Sequence, residues 1–230
     1  MLRVLLVRLG AMSARSGRTR QESAVTTTRE RYQRIAPLYD LLDFPFEYRR
    51  YRQLRPLLFA GMSGLILDAG VGTGRNFPFY PSGAKAIGID VSAAMLARAR
   101  QRLGQIRVEV ELREMDITHL EFPDQYFDNA VATFLFCVLP DEQQTPALAE
   151  IKRVLKPGGT LRLLEYTRPA DPFRRAITKL WEPWVHWAYG ASFDRNTEQY
   201  IPHAGLQLMD SRFVVGDLIK LMTVRKAGGA

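Results

Sequence analysis

The amino-acid sequence predicts an α/β protein built around a doubly wound, mostly parallel β-sheet. Short apolar segments typical of buried strands alternate with segments of helical periodicity from residue 65 to residue 165. The first of these strands, Leu65–Leu67, is closed by Asp68 and followed by the spacing Asp-x-Gly-x-Gly-x-Gly, which ends at Gly74. Glycines at this spacing let the backbone turn sharply and approach a ligand, because no Cβ stands in the way.

The later elements follow in a regular order. After the glycines come a helix-compatible segment, a strand, a helix that starts at a serine N-cap and a third strand: Arg75–Tyr80, Ala84–Asp90, Ser92–Leu103 and Val108–Arg113. A fourth strand that runs into a loop and a helix that a Lys-Pro-Gly-Gly segment ends then follow at Phe127–Leu139 and Asp141–Leu155. A fifth strand is predicted at Thr160–Glu165, and a helix at Arg168–Gly190. Two final segments, Gly205–Phe213 and Leu218–Arg225, predict an antiparallel hairpin that completes a seven-stranded sheet.

Acidic residues stand at the ends of the predicted strands. Asp90 lies 22 residues after Asp68, where a carboxylate would accept hydrogen bonds from the two hydroxyls of a ribose. Parallel strands end at one edge of the sheet, so we expect Asp68, Asp90, Asp116 and the loop after Ala132 to converge there. The dinucleotide spacing is Gly-x-Gly-x-x-Gly, whereas the third glycine here comes one residue earlier.

Composition and charge limit the remaining possibilities. The 230 residues suffice for one domain, and 47% hydrophobic content provides a core. The single cysteine, Cys137, excludes an internal disulfide framework and a multi-cysteine metal site, and it makes the cytoplasm the expected compartment. We also expect no bound metal and a monomer. The first 55 residues hold twelve arginines against five acidic residues, out of a net charge of +8 for the chain. Such a segment favours an anionic partner, either membrane or nucleic acid, or serves as a solubilising tail.

The predicted organisation has three parts. The sequence predicts a disordered basic segment at residues 1–28, a helical lid at residues 29–59 and the ligand-binding domain at residues 60–230. The lid is either a helix pair packed on the sheet or a basic, aromatic cover that contacts substrate and lipid headgroups. The helix at Arg168–Gly190 holds all three tryptophans and either covers the sheet or lies at a membrane interface.

Five segments in order resemble the successive motifs of the class I S-adenosylmethionine-dependent methyltransferases: LDAGVGTGRN, GIDVS, EMDI, FDNAVATF and RVLKPGG. Within that family, the type 11 group is most similar, with its bacterial phospholipid N-methyltransferases, membrane-associated thiol methyltransferases and ubiquinone/menaquinone C-methyltransferases. The segments NFPFYP and FLFCVLPD resemble the first two classes. The Gly-x-His-Arg-x-Trp-Lys signature of the quinone enzymes has no match near Tyr48–Arg55, which weakens that likeness.

The resemblance implies S-adenosylmethionine as cofactor and assigns its contacts. Asp68 and the backbone of Ala69, Gly70, Gly72 and Gly74 would hold the methionine part, and Asp90 would accept both ribose hydroxyls. The remaining roles are the adenine contacts Val91, Met95, Met115, Asp116 and Ile117, and the residues facing the sulfonium, Thr133 and Phe134. Carboxylates suit hydroxyl and amine donors, and apolar side chains suit the adenine faces.

The acceptor is less constrained than the cofactor. Tyr39, Glu165 and Tyr166 are the predicted catalytic residues, preferred over His119, His186 and His203. The favoured function is methylation of a lipophilic acceptor at the membrane surface, with phosphatidylethanolamine first and a thiol or quinone as alternatives. Arginines 49, 50, 52 and 55 would hold the lipid phosphate. A nucleic-acid methyltransferase and a non-catalytic cofactor-binding protein are the weaker alternatives, because no Pro-Pro-Tyr motif follows the fourth strand and the acidic residues are intact.

Overall fold

The computed structural model describes residues 29–30, 32–36, 39, 51–104, 109–189 and 195–226. The predicted segment 1–28 therefore lies outside the described residues. The strands are β1 Leu65–Ala69, β2 Lys85–Asp90, β3 Val110–Glu114, β4 Phe127–Thr133, β5 Leu155–Tyr166, β6 Leu206–Val215 and β7 Ile219–Lys226. The helices are α1 Arg52–Phe59, α2 Ala93–Leu103, α3 Asp141–Val154 and α4 Pro172–Tyr189, with residues 29–30 and 32–36 also helical.

The seven strands form one sheet in the order β3-β2-β1-β4-β5-β7-β6. Strands β1 to β5 pair in parallel, while β7 is antiparallel to both β5 and β6. This confirms the predicted fold class, including the antiparallel C-terminal hairpin. The strand order reverses between β1 and β4, and a crevice for a ligand opens at such a switch point.

The sheet is buried on both faces. Ile66 and Leu67, successive residues of β1, are both fully buried, and they belong to different core clusters on opposite faces. On one face β1 packs with α3, through Leu148 and Ile151, and on the other with α1, through Leu58. The continuous apolar sequence of β1 is the pattern expected of a central parallel strand covered on both sides.

Two elements differ from the sequence prediction, and the fourth strand agrees with it. Residues 77–79 form a short 3₁₀-helix after turns, where the sequence predicts a helix over Arg75–Tyr80. Strand β4 ends at Thr133 and runs into a loop, as predicted, because Phe134 adopts a φ of +55°, which turns the chain out of the sheet. Strand β5 begins at Leu155, directly after α3, and its pairing with β4 shifts register at Phe127/Asn129.

Helix α4 also differs from its predicted role as a cover for the sheet. No side chain that the structure describes in this helix is buried. The large apolar residues Phe173, Leu180 and Trp181 are more than half exposed. The interpretation of α4 as a sheet-covering helix is therefore wrong for this part of the chain.

A buried polar network ties the glycine loop to α1. The Asp68 carboxylate, fully buried, accepts hydrogen bonds from Asn76 Nδ2 at 3.0 and 3.1 Å and from the Tyr80 hydroxyl at 2.6 Å. Asn76 Oδ1 in turn accepts from Arg55 Nη1 at 2.6 Å, and its amide also donates to Thr133 Oγ1. Arg55 is only 6% exposed, so the prediction that this arginine holds a lipid phosphate is wrong.

Burial raises the pKa of Asp68 from 3.8 to about 6, although the bonds from Tyr80 and Asn76 and the charge of Arg55 oppose the rise. We predict that Arg55→Met lowers the free energy of unfolding at pH 8 by about 3 kcal/mol, because it leaves a buried carboxylate without its cation. At pH 5 the loss should be smaller, since Asp68 in the folded protein is then mostly protonated.

Urea unfolding at both pH values measures this difference. Arg52→Met, at an exposed arginine of the same helix, is the matched control and should change stability little at either pH. An equal loss for Arg55→Met at pH 5 and pH 8 would contradict the electrostatic role of Arg55.

Candidate functional site

An open cleft lies at the carboxyl edge of the sheet, around the switch point between β1 and β4. The space between its walls is about 730 Å³, open solvent at its mouth included. Its walls come from the lid, the glycine loop, the ends of β2, β3 and β4, and the start of α3: Tyr32, Tyr39, Gly70, Gly72, Ile89, Asp90, Val91, Met95, Met115, Asp116, Ile117, Thr133, Phe134, Leu135, Val138, Leu139 and Gln143.

The three glycines after β1 differ in what a side chain at each position would contact. All three have positive φ angles, of +70°, +55° and +79° for Gly70, Gly72 and Gly74. A Cβ at Gly74 would lie 2.1 Å from the buried ring of Phe77, and one at Gly70 would lie 2.9 Å from Leu135. A Cβ at Gly72 would meet no protein atom closer than 4.0 Å. Gly72, which lines the cleft, therefore leaves room for a ligand, while Gly74 leaves room for the core.

Asp90 lines the cleft, and its carboxylate retains unused hydrogen-bond acceptor sites. Its Oδ2 accepts from Gly72 N at 3.0 Å and its Oδ1 from Ser92 N at 2.9 Å, so each oxygen retains a lone pair. These bonds orient the side chain toward the loop that the glycines form. Burial raises the pKa of Asp90 to about 6, with the two N–H donors opposing the rise.

An apolar slot continues from Asp90 along the ends of β2 and β3. Met95, Met115 and Ile117 are each less than 10% exposed yet contribute to the cleft lining. Asp116 stands beside them, and its Oδ1 accepts from Thr118 N at 2.9 Å. Two flanking apolar walls with a carboxylate at the edge suit a flat heterocycle that carries an amine donor.

The loop after β4 is held in place by Glu165. This buried carboxylate at the end of β5 accepts from the backbone N–H groups of Leu135 and Phe136 at 3.0 Å and of Cys137 at 3.1 Å. Burial raises the pKa of Glu165 to about 7. The same loop keeps Phe134 in the left-handed region, which is uncommon for an aromatic residue and typical of a functional position.

Aromatic rings form the mouth of the cleft. The rings of Tyr32 and Tyr39, from the lid, lie 6.3 Å apart. The ring of Phe134 stacks on that of Tyr166, with 4.8 Å between the ring centroids, and its centroid lies 4.9 Å from that of Tyr51. The hydroxyls of Tyr51 and Tyr166 share a hydrogen bond. At the other end of the described lid, Arg29 pairs with Glu114 at the end of β3. The lid therefore contacts the sheet edge on both sides of the cleft.

Most of the predicted cofactor residues come together in this cleft. Ten of the thirteen line it, and the other three, Asp68, Ala69 and Gly74, are buried and do not line it. Of the predicted catalytic residues, Tyr39 lines the cleft. Glu165 and Tyr166 instead lie behind the loop after β4 and line a smaller neighbouring pocket.

Sequence reasoning missed two groups of residues. One group lines the cleft: Ile89, Leu135, Val138, Leu139 and Gln143. Tyr32, which also lines it, was expected with Tyr39 on the acceptor side. The other group is the network around Asp68, to which Asn76, Tyr80 and Arg55 contribute. The spacing of Asn76 and Tyr80 after the glycines was the available signal, because short polar side chains near a buried carboxylate are its natural donors. No local pattern pointed to the contact of Arg55 with Asn76, 21 residues along the chain.

The residues present fit S-adenosylmethionine, the cofactor that the resemblance implies. Gly72 provides room for the close approach of a ligand to the backbone, Asp90 has free acceptor sites for ribose hydroxyls, and Met95 and Ile117 provide apolar surface for adenine. These features line one continuous cleft at the edge where α/β sheets bind nucleotides.

Two glycine substitutions separate the ligand site from the core. We predict that Gly72→Ala weakens cofactor binding about tenfold, or roughly 1.4 kcal/mol, because the new methyl group occupies ligand space. Its cost to stability should be about 1 kcal/mol, from the positive φ alone. Gly74→Ala should lower the free energy of unfolding by about 2 kcal/mol or more, because its methyl overlaps a buried ring.

Calorimetric titration and thermal unfolding of both variants check this pair of effects. Unchanged cofactor affinity in a folded Gly72→Ala protein would contradict the placement of the ligand beside that glycine.

The raised pKa of Asp90 makes cofactor binding depend on pH. The ionised carboxylate accepts ribose hydroxyls at both oxygens, so affinity should fall as pH drops through about 6. Between pH 7 and pH 5 we expect about a tenfold loss, as one pKa unit corresponds to 1.36 kcal/mol. Asp90→Asn should bind weakly at pH 7 and show a flatter pH profile. A pH-independent affinity of the unmodified protein over this range would refute the role of Asp90.

Known proteins were compared with the sequence and the fold. The family described as "Methyltransferase domain" matches residues 66–159. A phosphatidylethanolamine N-methyltransferase from Cereibacter sphaeroides is 40% identical over 105 residues, which are 45% of this chain and 51% of that protein. A demethylmenaquinone methyltransferase from Lactiplantibacillus plantarum is 32% identical over 176 residues, which are 72% of this chain and 73% of that protein.

A solved structure of geranyl diphosphate C-methyltransferase from Streptomyces coelicolor A3(2), in complex with Mg²⁺, geranyl diphosphate and S-adenosyl-L-homocysteine, has the same fold. The TM-score is 0.64 at 14% identity, over 83% of this chain and 86% of that one. The chain covers 51%, 63% and 65% of the length of three of its curated relatives. Fold, motif order and relatives agree, and the chain belongs to the class I S-adenosylmethionine-dependent methyltransferases.

Proposed function

We propose that this protein transfers a methyl group from S-adenosylmethionine to a lipophilic acceptor at a membrane surface, with the amine of phosphatidylethanolamine and its methylated products as the best candidates. The observation that carries the proposal is the aromatic mouth of the cleft. Tyr32, Tyr39 and Phe134 all line the cleft. Ring faces attract a cationic amine, and phenol oxygens accept its hydrogen bonds.

Methyl transfer needs little covalent catalysis by the protein. The cofactor supplies an electrophilic methyl group with a good leaving group. The residues of the cleft fix the cofactor, align the acceptor and exclude water. Asp90 and the glycine loop fix one partner, whereas Tyr39 and Phe134 border the space for the other.

Phosphatidylethanolamine is mostly protonated at neutral pH, so its amine must lose a proton before attack. In the proposal the Tyr39 hydroxyl accepts a hydrogen bond from this ammonium and relays its proton to solvent, which frees the nitrogen lone pair to attack the methyl group. Among the cleft-lining residues that the structure describes, the two tyrosine hydroxyls are the titratable groups outside the cofactor side. Arg49 and Arg50, predicted to hold the lipid phosphate, lie outside the described residues, and Arg52 is exposed.

Glu165 and Tyr166 act indirectly in this proposal. Glu165 uses both oxygens to hold the backbone of residues 135–137, so it fixes the loop that presents Phe134. Tyr166 supports the ring of Phe134 from behind and bonds to Tyr51 of the lid. Both are therefore positioning residues for the acceptor side of the cleft.

A quinone ring is the second candidate acceptor. The relative from Lactiplantibacillus plantarum, named a demethylmenaquinone methyltransferase, is covered over 73% of its length. A flat ring can stack on Phe134 as readily as an ammonium can face it. The missing Gly-x-His-Arg-x-Trp-Lys signature and the relative from Cereibacter sphaeroides favour the amine. A small thiol remains a third acceptor for the same test.

An acceptor held in a bilayer requires contact with the membrane surface. In the part of the chain that the structure describes, no helix has both the length and the apolarity to cross a membrane. The arginine-rich first 55 residues support peripheral attachment to anionic lipid on the inner face, where each basic residue contributes about 1 kcal/mol.

Incubation with labelled cofactor tests the acceptor directly. We expect label to enter phosphatidylethanolamine, with mono-, di- and trimethylated lipid appearing in sequence, because each product but the last retains a nitrogen lone pair. If label enters a demethylated quinone or a small thiol while this lipid stays unlabelled, the amine proposal is wrong. The acceptor is then the quinone or the thiol that takes up the label.

Tyr39→Phe tests the tyrosine role. Turnover should fall about tenfold or more, since general acid–base groups contribute at least that much, while cofactor affinity stays unchanged. Tyr126→Phe, at an exposed tyrosine stacked on Phe122, is the matched control. Equal loss of cofactor affinity and turnover in Tyr39→Phe would place this residue on the cofactor side instead.

A further inference from the structure

Helix α4 carries an apolar stripe that faces solvent. Phe173, Ile177, Leu180 and Trp181 are 74%, 42%, 79% and 57% exposed. Their spacing of four, three and one residues puts them on one side of the helix. Arg175, Thr178 and Glu182 fall on the other side. The helix is therefore amphipathic, but its apolar side faces away from the protein core.

Ionic and backbone bonds fix the start of α4 to the cleft edge of the sheet. Arg174 Nη1 pairs with Asp217 Oδ1 at 2.8 Å, and Asp217 Oδ2 accepts from Asp171 N at 2.9 Å. Asp217 lies in the turn between β6 and β7, next to Ile219, which pairs with Tyr166 at the end of β5. The apolar stripe thus begins at the edge of the sheet where the cleft opens.

The charges of α4 have one dominant sign. Between Pro172 and Tyr189 the helix holds three basic residues, Arg174, Arg175 and Lys179, and one acidic residue, Glu182. Arg174 and Lys179 follow the two borders of the stripe, and both are exposed. An apolar face bordered by cations is the pattern of a helix that lies in the headgroup region of an anionic bilayer.

We propose that α4 is the membrane-docking element of this protein, with the apolar stripe inserted into the interface of an anionic lipid bilayer. The cations at its borders contact lipid phosphates, and tryptophan suits the boundary between headgroups and acyl chains. This inference rests on the proposed function, because the docking would bring the proposed lipid acceptor to the cleft. Docking through α4 turns the carboxyl edge of the sheet, and the cleft with it, toward the lipid.

Tryptophan fluorescence of the full chain tests the docking directly, because all three tryptophans of the protein, at positions 181, 184 and 187, belong to α4. Vesicles of phosphatidylglycerol and phosphatidylcholine should shift the emission to shorter wavelength. Brominated lipids should quench it. Pure phosphatidylcholine vesicles should produce a much smaller change, and added salt should weaken binding to the anionic vesicles.

A pair of charge-matched variants locates the contact. Leu180→Glu, within the stripe, should lower vesicle partitioning about tenfold or more, because a buried leucine contributes that much. Thr178→Glu adds the same charge on the opposite side of the same helix and should change partitioning much less. Circular dichroism of both variants checks that each remains folded.

Three results would overturn the proposal. Vesicle binding without a change in emission would place the contact elsewhere in the chain. Equal loss of binding in Leu180→Glu and Thr178→Glu would show an effect of charge alone. A blue shift that depends on protein concentration without vesicles would make a second copy of the chain the occupant of the stripe.

Experiments can refute the docking proposal and the proposed function independently of each other. Methylation of a detergent-dispersed acceptor depends on the cleft alone, so Leu180→Glu should retain it while losing activity on vesicles. A protein that binds vesicles through α4 but methylates no lipophilic acceptor would refute the proposed function and leave the docking intact. A protein that methylates lipid in vesicles equally well with and without Leu180→Glu would refute the docking instead.

Discussion

The burial of the Asp68 carboxylate is the constraint on which the site depends. A carboxylate without contact to water must find donors inside the protein, and its raised pKa of about 6 measures how incomplete that compensation is. The donors come from different parts of the chain: Asn76 and Tyr80 after the glycine loop, with Arg55 of α1 and Thr133 of β4 joined through Asn76. Satisfying one side chain thus fixes the positions of β1, the loop, α1 and the end of β4 together.

Glu165 repeats this arrangement on the other side of the switch point. Its two oxygens take three backbone N–H donors and hold the loop that keeps Phe134 at a positive φ. Asp90 differs from both, because each of its oxygens accepts a single N–H and it faces open space. The two carboxylates that accept three hydrogen bonds each position the walls of the cleft, whereas Asp90 accepts two and lines open space. The number of internal donors, rather than residue type, distinguishes the three acids.

The two halves of the cleft are built differently. The cofactor half consists of strand ends and a loop whose glycines are fixed by contacts with Phe77 and Leu135. The half proposed for the acceptor is made of aromatic rings from the lid and from the loop after β4, joined across elements by the hydroxyl pair of Tyr51 and Tyr166. Rings of this kind recognise shape and charge without a fixed set of hydrogen bonds, a property that suits both proposed acceptors, a phospholipid amine and a quinone ring.

The sequence alone determined the features that depend on short-range pattern. The apolar run before Asp68, the glycine spacing and Asp90 at the end of β2 predicted the sheet and its cofactor edge, and the family resemblance assigned ten of the residues that line the cleft. Only the tertiary structure decided which donors each carboxylate has, because the donors to Asp68 and Glu165 come from as far as 30 residues away. It also decided the direction of α4, since an amphipathic pattern identifies an apolar side without saying what that side faces. Local periodicity fixes which residues share a face, whereas long-range packing fixes where that face points.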